Sequence, residues 1–193
     1  KGGLFEAEIV YPHPKRCELN IRNFIFEFGK RDFRLHIAIA PTKMNERLEW
    51  FLEKATEIGI DEITPVICRY SERKEVKSAR MEKILVAAMK QSVKAYIPKL
   101  NEACTFEHLL KNTSALHKFI AHCYEGEKQL LKDTYTKGSD VLVLIGPEGD
   151  FSTEEVQKAI QAGFLAVSLG NSRLRTETAG VVACHTINLI NEK

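Results

Sequence analysis

The sequence lacks any apolar run approaching the ~18 residues of a membrane-crossing helix, and no signal-peptide pattern opens it. No membrane association is expected. Paired cysteines are also missing. Cys17, Cys68, Cys104, Cys123 and Cys184 are odd in number, widely spread and form no C-x-x-C step, which disfavours a disulfide framework and a zinc site. Each lies in or beside an apolar run, so reduced, buried thiols and a cytoplasmic setting are expected. No metal site is expected. Charge of one sign is scarce too: 28 Lys and Arg against 26 Asp and Glu leave a formal net charge of +2. Any nucleic-acid contact must therefore come from a local patch and not from the overall field. Internal repeats and low-complexity segments are absent, which excludes solenoid architectures.

What remains is 193 residues, 44% hydrophobic and 28% charged, enough for one good-sized domain or one domain plus a fragment. Leu4 to Val10 and Asn23 to Phe28 read as strands, the second with Phe24, Phe26 and Phe28 on one face. Tyr11-Pro12-His13-Pro14 between them is a turn signal. Two or three strands cannot bury a core alone, so residues 1–30 are read as the tail of a small β domain. From Phe33 onward, strand-length apolar runs alternate with helical patterns. The strand candidates are His36–Ala40, Ile63–Ile67, Lys118–His122, Val141–Ile145 and Ala166–Leu169. Such continuous runs suit parallel strands covered on both faces. Leu48, Phe51, Leu52, Ala55 and Ile58 predict a helix stopped by Gly59, and Met81, Ile84, Leu85 and Ala88 a second behind Ser78 as N-cap. Ser152 and Glu155 have capping-box spacing, with Phe151 and Val156 as hydrophobic staple, for a helix ending at Gly163. A last helix is expected from about Thr178 towards Asn191. The fold class is α/β, a parallel sheet with helices on both faces.

Two glycine-bearing loops follow the last two strands: Gly146-Pro147-Glu148-Gly149-Asp150-Phe151-Ser152, and Gly170-Asn171-Ser172-Arg173-Leu174-Arg175-Thr176-Glu177-Thr178-Ala179. Ligands of open α/β sheets bind beyond the carboxyl ends of the strands, where both loops fall. Glycines let backbone groups approach a ligand closely. Neither loop is a phosphate cradle: G-x-x-x-x-G-K-[ST] and G-x-G-x-x-G are both absent. A nucleoside-like ligand with a positive centre suits them better than a pyrophosphate. Read singly, each loop is as well explained by a tight strand-to-helix turn.

Ile145-Gly146-Pro147-Glu148-Gly149-x-Phe151-Ser152, with Ser168-Leu169-Gly170-x-x-x-Leu174-Arg175-x-Glu177-Thr178-Ala179, resembles the 16S rRNA uridine-N3 methyltransferases of the SPOUT superfamily. Glu53 to Ile60, Pro65, Gln91-Ser92 and Pro98 fall in the same family order, and Gly2-Gly3-Leu4-Phe5-Glu6-Ala7 resembles the middle of the family's PUA-like RNA-binding domain. The resemblance covers essentially the whole chain. It implies a PUA-like β-barrel remnant over residues 1–30 and a SPOUT domain over 31–193 with a C-terminal trefoil knot. It further implies S-adenosylmethionine as cofactor, 16S rRNA of the small ribosomal subunit as partner, and a homodimer. Ile145, Gly146, Pro147, Glu148, Gly149, Leu169, Gly170, Leu174, Arg175 and Thr178 would line the cofactor pocket, joined by Ala121 and His122. Three positions depart from the family pattern: Asp150 stands where a glycine is usual, Ser172-Arg173 where Arg-Ile is common, and Lys94 near a frequent arginine.

The implied reaction needs a deprotonated uridine N3. Arg175 would stabilise the resulting anion, with Glu177 as orienting partner or base. Arg69, Arg73, Lys74, Lys77 and Arg80 form the most basic stretch and, with Lys94 and Arg173, are the candidates for RNA contact; by charge alone the stretch is equally a solvated face. Glu148 is open between a ribose hydroxyl, an arginine partner and a turn brace. His122 is open between packing and ligand lining, and His185 reads as structural. Two rivals stand beside this function: a ribosome-assembly factor without turnover, and a methyltransferase of the same fold acting on a ribose 2′-hydroxyl or a tRNA base.

Overall fold

The computed structural model describes residues 2–192. It opens with an antiparallel hairpin, β1 (Leu4–Tyr11) and β2 (Glu18–Ile25), whose register slips between Glu6 and Ala7 and again between Ile9 and Tyr11. The second strand starts and stops earlier than the Asn23–Phe28 expected. Pairing with β1 draws Leu19 to Asn23 into the ladder, and the chain then turns at Glu27 (φ 51°) and Gly29 (φ 70°), leaving Phe26 and Phe28 outside it. Apart from Leu4, every residue of the two strands is exposed.

The remaining chain builds an eight-stranded parallel sheet. Its strands are β3 (Leu35–Ile39), β4 (Glu62–Ile67), β5 (Lys99–Leu100), β6 (Cys104–Thr105), β7 (His117–Ala121), β8 (Gln129–Leu130), β9 (Val141–Ile145) and β10 (Leu165–Ser168). The order is β5-β4-β3-β9-β7-β10-β8, with β6 also on β4. Six helices accompany it: α1 (Asn45–Ile58), α2 (Ser78–Gln91), α3 (Phe106–Asn112), α4 (Leu131–Thr134), α5 (Thr153–Gln161) and α6 (Thr176–Asn191).

Alternation along the central strands divides the core. Leu35, Ile37, Ile39, Val141, Val143 and Ile145 pack against Leu48, Phe51 and Leu52 of α1, Leu85 of α2, and Ala183, Cys184 and Ile187 of α6. Ala38, Ile120, Leu142 and Leu144 face the other way, onto Phe106 and Leu109 of α3 and Val156 and Ala159 of α5. Each fully buried side chain of this size contributes about 1.5–3 kcal/mol. No helix among the described residues is long and apolar enough to cross a membrane.

The local signals hold in part. Ser152 Oγ accepts from Glu155 N (3.2 Å) while Ser152 N donates to Glu155 Oε2 (2.8 Å), so the capping box is complete, and Phe151 and Val156 share one buried cluster. Ser78, expected to cap α2, is instead its first residue. Lys77 takes the cap position without a side-chain bond. The last helix begins at Thr176, two residues early. Of the cysteines, Cys68 and Cys184 are buried and Cys104 is half-buried, but Cys17 and Cys123 are exposed. Cys17 sits in the hairpin's turn and Cys123 just past the end of β7, so their apolar neighbours do not carry them inward.

Candidate functional site

The carboxyl ends of β7 and β9 and the start of α6 enclose a cleft of about 300 Å³. It is lined by Ala121, Cys123, Ile145, Gly146, Pro147, Glu148, Asp150, Arg173, Leu174, Arg175, Thr176 and Ala179. Three segments far apart in sequence meet there, and specific bonds hold them. Thr176 Oγ1 donates to the Gly146 carbonyl at 3.0 Å in a buried position, tying the first turn of α6 to the β9 loop. This bond explains why the helix starts early. Asp150 joins the β7 and β9 loops: its Oδ2 accepts from Cys123 N at 2.7 Å and its Oδ1 from Phe151 N at 2.8 Å. Asp150 adopts φ 64°, a left-handed conformation that Asp tolerates better than most residues.

The glycines act by absence. A Cβ on Gly146 would lie 3.0 Å from the Phe151 ring and 3.3 Å from its backbone nitrogen. Gly170 has φ +129°, with the Ser168 hydroxyl bridging its N–H and carbonyl. A side chain is disfavoured at Gly146 by contact and at Gly170 by backbone conformation.

Of the residues expected at the cofactor, the cleft brings together Ala121, Ile145, Gly146, Pro147, Glu148, Leu174 and Arg175. His122, Gly149, Leu169, Gly170 and Thr178 do not line it. The His122 ring lies 5.7 Å from that of Tyr124, and its Nδ1 is buried without a hydrogen-bond partner. Burial, then nearby Lys128, holds its pKa below the ordinary histidine value. Gly149 sits under Tyr70, whose Cβ is 3.1 Å from where a Cβ on the glycine would be, and Leu169 packs against the core. Cys123, Asp150, Thr176 and Ala179 line the cleft without having been expected at the cofactor. For Asp150 and Thr176, the decisive bonds span 27 and 30 residues.

Glu148 is committed to the protein. Its Oε1 accepts from Lys43 N (3.0 Å), and the Lys43 carbonyl accepts from Arg73 (2.8 Å). It braces the segment after β3. Glu177 does not orient Arg175, contrary to expectation. It is buried, with Oε1 3.8 Å from Arg47 Nε on α1 and Oε2 without a hydrogen-bond partner. Residues two apart at a helix start do not share a face, so Arg175 reaches the exposed cleft while Glu177 turns towards α1.

The basic candidates separate in the same way. Arg69 pairs with Glu154 (3.1 Å) and Arg80 with Glu49 (2.5 Å), while Arg73 is bonded to the Lys43 carbonyl. Lys74 and Lys77 are exposed and make no ion pair among the described residues. Arg173 is exposed at the cleft. Lys94 lies elsewhere, beside Ile60 and Asp61 at the amino end of β4.

A parallel α/β sheet with a cleft at its strand ends defines a class of ligand-binding domain in which a short loop precedes each helix start. Within that class the family is specific. Residues 30–188 match the RNA methyltransferase domain, and the chain belongs to that family. A "Ribosomal RNA small subunit methyltransferase E" of Rickettsia conorii is 29% identical over 158 residues, 81% of this chain and 64% of that protein. The chain thus spans somewhat under two thirds of that relative's length. A probable rRNA-methyltransferase from Porphyromonas gingivalis is 44% identical with a TM-score of 0.89, covering 98% of this chain and 82% of the other. A ribosomal RNA small subunit methyltransferase E from Neisseria gonorrhoeae, bound to S-adenosyl methionine, is 27% identical with a TM-score of 0.85, covering 99% and 80%.

Proposed function

We propose that the protein transfers a methyl group from S-adenosylmethionine to N3 of a specific uridine in 16S rRNA of the small ribosomal subunit, in the cytoplasm. The cleft formed by the β9 loop and the start of α6 carries this reading, within a fold shared with a cofactor-bound relative. The residues present fit such a cofactor: an open cleft of about 300 Å³ at the strand ends, no phosphate-type cradle, and apolar lining from Ala121, Ile145, Leu174 and Ala179 beside the charged Glu148, Asp150, Arg173 and Arg175. Gly146, Pro147, Leu174 and Ala121 would hold it. Bound there, it supplies an electrophilic methyl group.

The chain's own contribution is electrostatic and positional. Uridine N3 must lose its proton, to water at the exposed side of the cleft, and the charge then spreads to the flanking carbonyl oxygens. Arg175, exposed at the cleft with no ion pair among the described residues, offers a guanidinium to that charge. Thr176 fixes the start of α6 against Gly146, and Glu177 with Arg47 fixes its inner side, so that Arg175 is presented from a rigid turn.

Three further features belong to the same reading. The chain leaves β10, crosses the strand ends at Thr176–Gly146 and packs α6 on α1 and β3, beyond β9. That return path supports a C-terminal trefoil knot, against the usual rule of unthreaded connections. The exposed hairpin supports a PUA-like RNA-binding domain over residues 1–30. Half-buried Val181 and Val182 with exposed Leu189 on α6 support a homodimer. The deciding experiment is mass analysis of 16S rRNA after incubation with the protein and S-adenosylmethionine. One added methyl on a uridine base is expected, and methylation of a ribose or of no nucleotide would overturn the proposal.

A further inference from the structure

A second cleft, of about 340 Å³, lies at the amino end of β4, between the turn leaving the hairpin and the turn after α2. Three cations line it, of which Lys30 is paired with Glu27. Arg31 is fully engaged: it donates to the Gly59 carbonyl (2.9 Å) and to Asn188 Oδ1 (3.0 Å), and it pairs with Asp61. Lys94 is not. It is half-buried and makes no ion pair among the described residues; Arg31, Lys30 and Asp61 share the cleft with it, but Asp61 is taken by Arg31. Burial first, and Arg31 second, hold its ammonium below the ordinary lysine range. A compact ammonium withdrawn from water beside a guanidinium is a costly arrangement unless an anion completes it.

The backbone shows that this placement is built in. Val93 adopts φ 53°, a left-handed conformation in which a β-branched residue is strained. The turn is held there by Ser92 N and Oγ bonding to the Ala88 carbonyl (2.9 and 2.7 Å) and by Lys94 N bonding to that of Met89 (3.0 Å). Gly2 N donates to the Ala95 carbonyl (3.1 Å), joining the hairpin to the same turn. Strain retained at a site holding an unpaired charge points to a binding role. The Tyr96 hydroxyl, also lining the cleft, makes no hydrogen bond among the described residues and adds a donor.

We infer that this cleft is an anion site that receives one phosphate of the RNA backbone, with Lys94 as its ligating cation. The inference rests on the RNA-methyltransferase reading for the source of the phosphate, but not for the site itself. The cleft lies at the end of the sheet opposite the cofactor cleft, so it grips RNA flanking the target and acts on affinity, not chemistry.

The test uses the whole chain, Lys94→Gln and Lys94→Arg, with small-subunit particles as RNA substrate and inorganic phosphate as a separate probe. Near 0.1 M salt, Lys94→Gln should weaken RNA binding about five- to tenfold and reduce the slope of log affinity against log salt by about one. Lys94→Arg should retain most of both. The loss should fall on KM for RNA, with kcat and cofactor affinity retained. Inorganic phosphate should shift the NMR signals of the Lys94 ε-methylene. An unchanged salt slope in Lys94→Gln overturns the RNA assignment, even if phosphate shifts Lys94 and so reveals a small-anion site. If phosphate leaves Lys94 unmoved, the anion site itself is overturned. Should the wild-type chain bind no RNA, the functional proposal fails separately, and the phosphate titration still decides the site.

Discussion

The hairpin and β9 are both apolar extended segments, yet they end in opposite environments. In β9 all five residues are at most 2% exposed. In the hairpin, Phe5 is 57% exposed and Ile21 59%. Both have ladder partners, but only β9 has helices over both faces. The hairpin relies on cross-strand contacts such as the Phe5–Phe24 stack, with centroids 4.5 Å apart. Apolar patterning thus reports where burial is required; the topology decides whether it is supplied within the chain.

The sharpest way to break this comparison is to truncate one aromatic in each region. Phe119→Ala should cost about 3–5 kcal/mol in urea unfolding, and Phe24→Ala less than about 1 kcal/mol. Equal costs would mean that the hairpin is buried in solution. His36 sharpens the comparison on the sheet side. Burial lowers its pKa to about 4, with Nε2 2.7 Å from Thr64 Oγ1. The unfolded state therefore takes the proton first. Its stabilisation is complete above about pH 6.5 and is lost as pH falls through about 4, on the order of 3 kcal/mol in all. His36→Gln should flatten that part of the stability–pH curve; an unchanged curve would place the ring in solvent.

Next come the cleft substitutions, which should ignore the hairpin. Gly146→Val should weaken S-adenosylmethionine binding by about a hundredfold, roughly 2.7 kcal/mol, as read by calorimetry on folded protein. Arg175→Ala should lower single-turnover methylation by about a hundredfold with little change in cofactor affinity, and Arg175→Lys should fall between. A matching loss of cofactor affinity would move Arg175 into the pocket wall. Ile21→Ser should leave cofactor affinity unchanged. The smallest effect falls at the joint between the regions: Val93→Asn should raise stability by about 0.5–1 kcal/mol, because asparagine tolerates the left-handed turn. A loss of stability would show that the valine side chain packs.

Much of the sheet was legible in the sequence. Val141–Ile145 is read with its observed bounds, and β3, β4, β7 and β10 within one residue, because continuous apolar runs mark doubly covered strands. The two-residue strands β5, β6 and β8 and the four-residue α4 were not, since segments so short have no periodicity to read. The glycine loops announced the cleft through Gly146 and Pro147. Asp150 read only as a missing glycine, because its two bonds depend on where β7 ends. Arg47 gave no signal. Its place opposite Glu177 follows from the packing of α1 on α6, a contact between helices separated by most of the chain.

The position of β3 has a consequence for how the molecule is made. One of its neighbours, β4, follows soon after. The other, β9, closes on it only across a separation such as the 106 residues between Arg34 N and Asp140 Oδ1. A nascent chain must therefore carry an unpaired apolar strand edge through the synthesis of those 106 residues, a period in which association with other chains competes with folding. Such distant pairings also slow folding itself. The cleft appears later still, since Thr176 must arrive before Gly146 is tied. Competence to bind at these strand ends thus waits for the start of α6, and molecules synthesised only as far as β10 lack it.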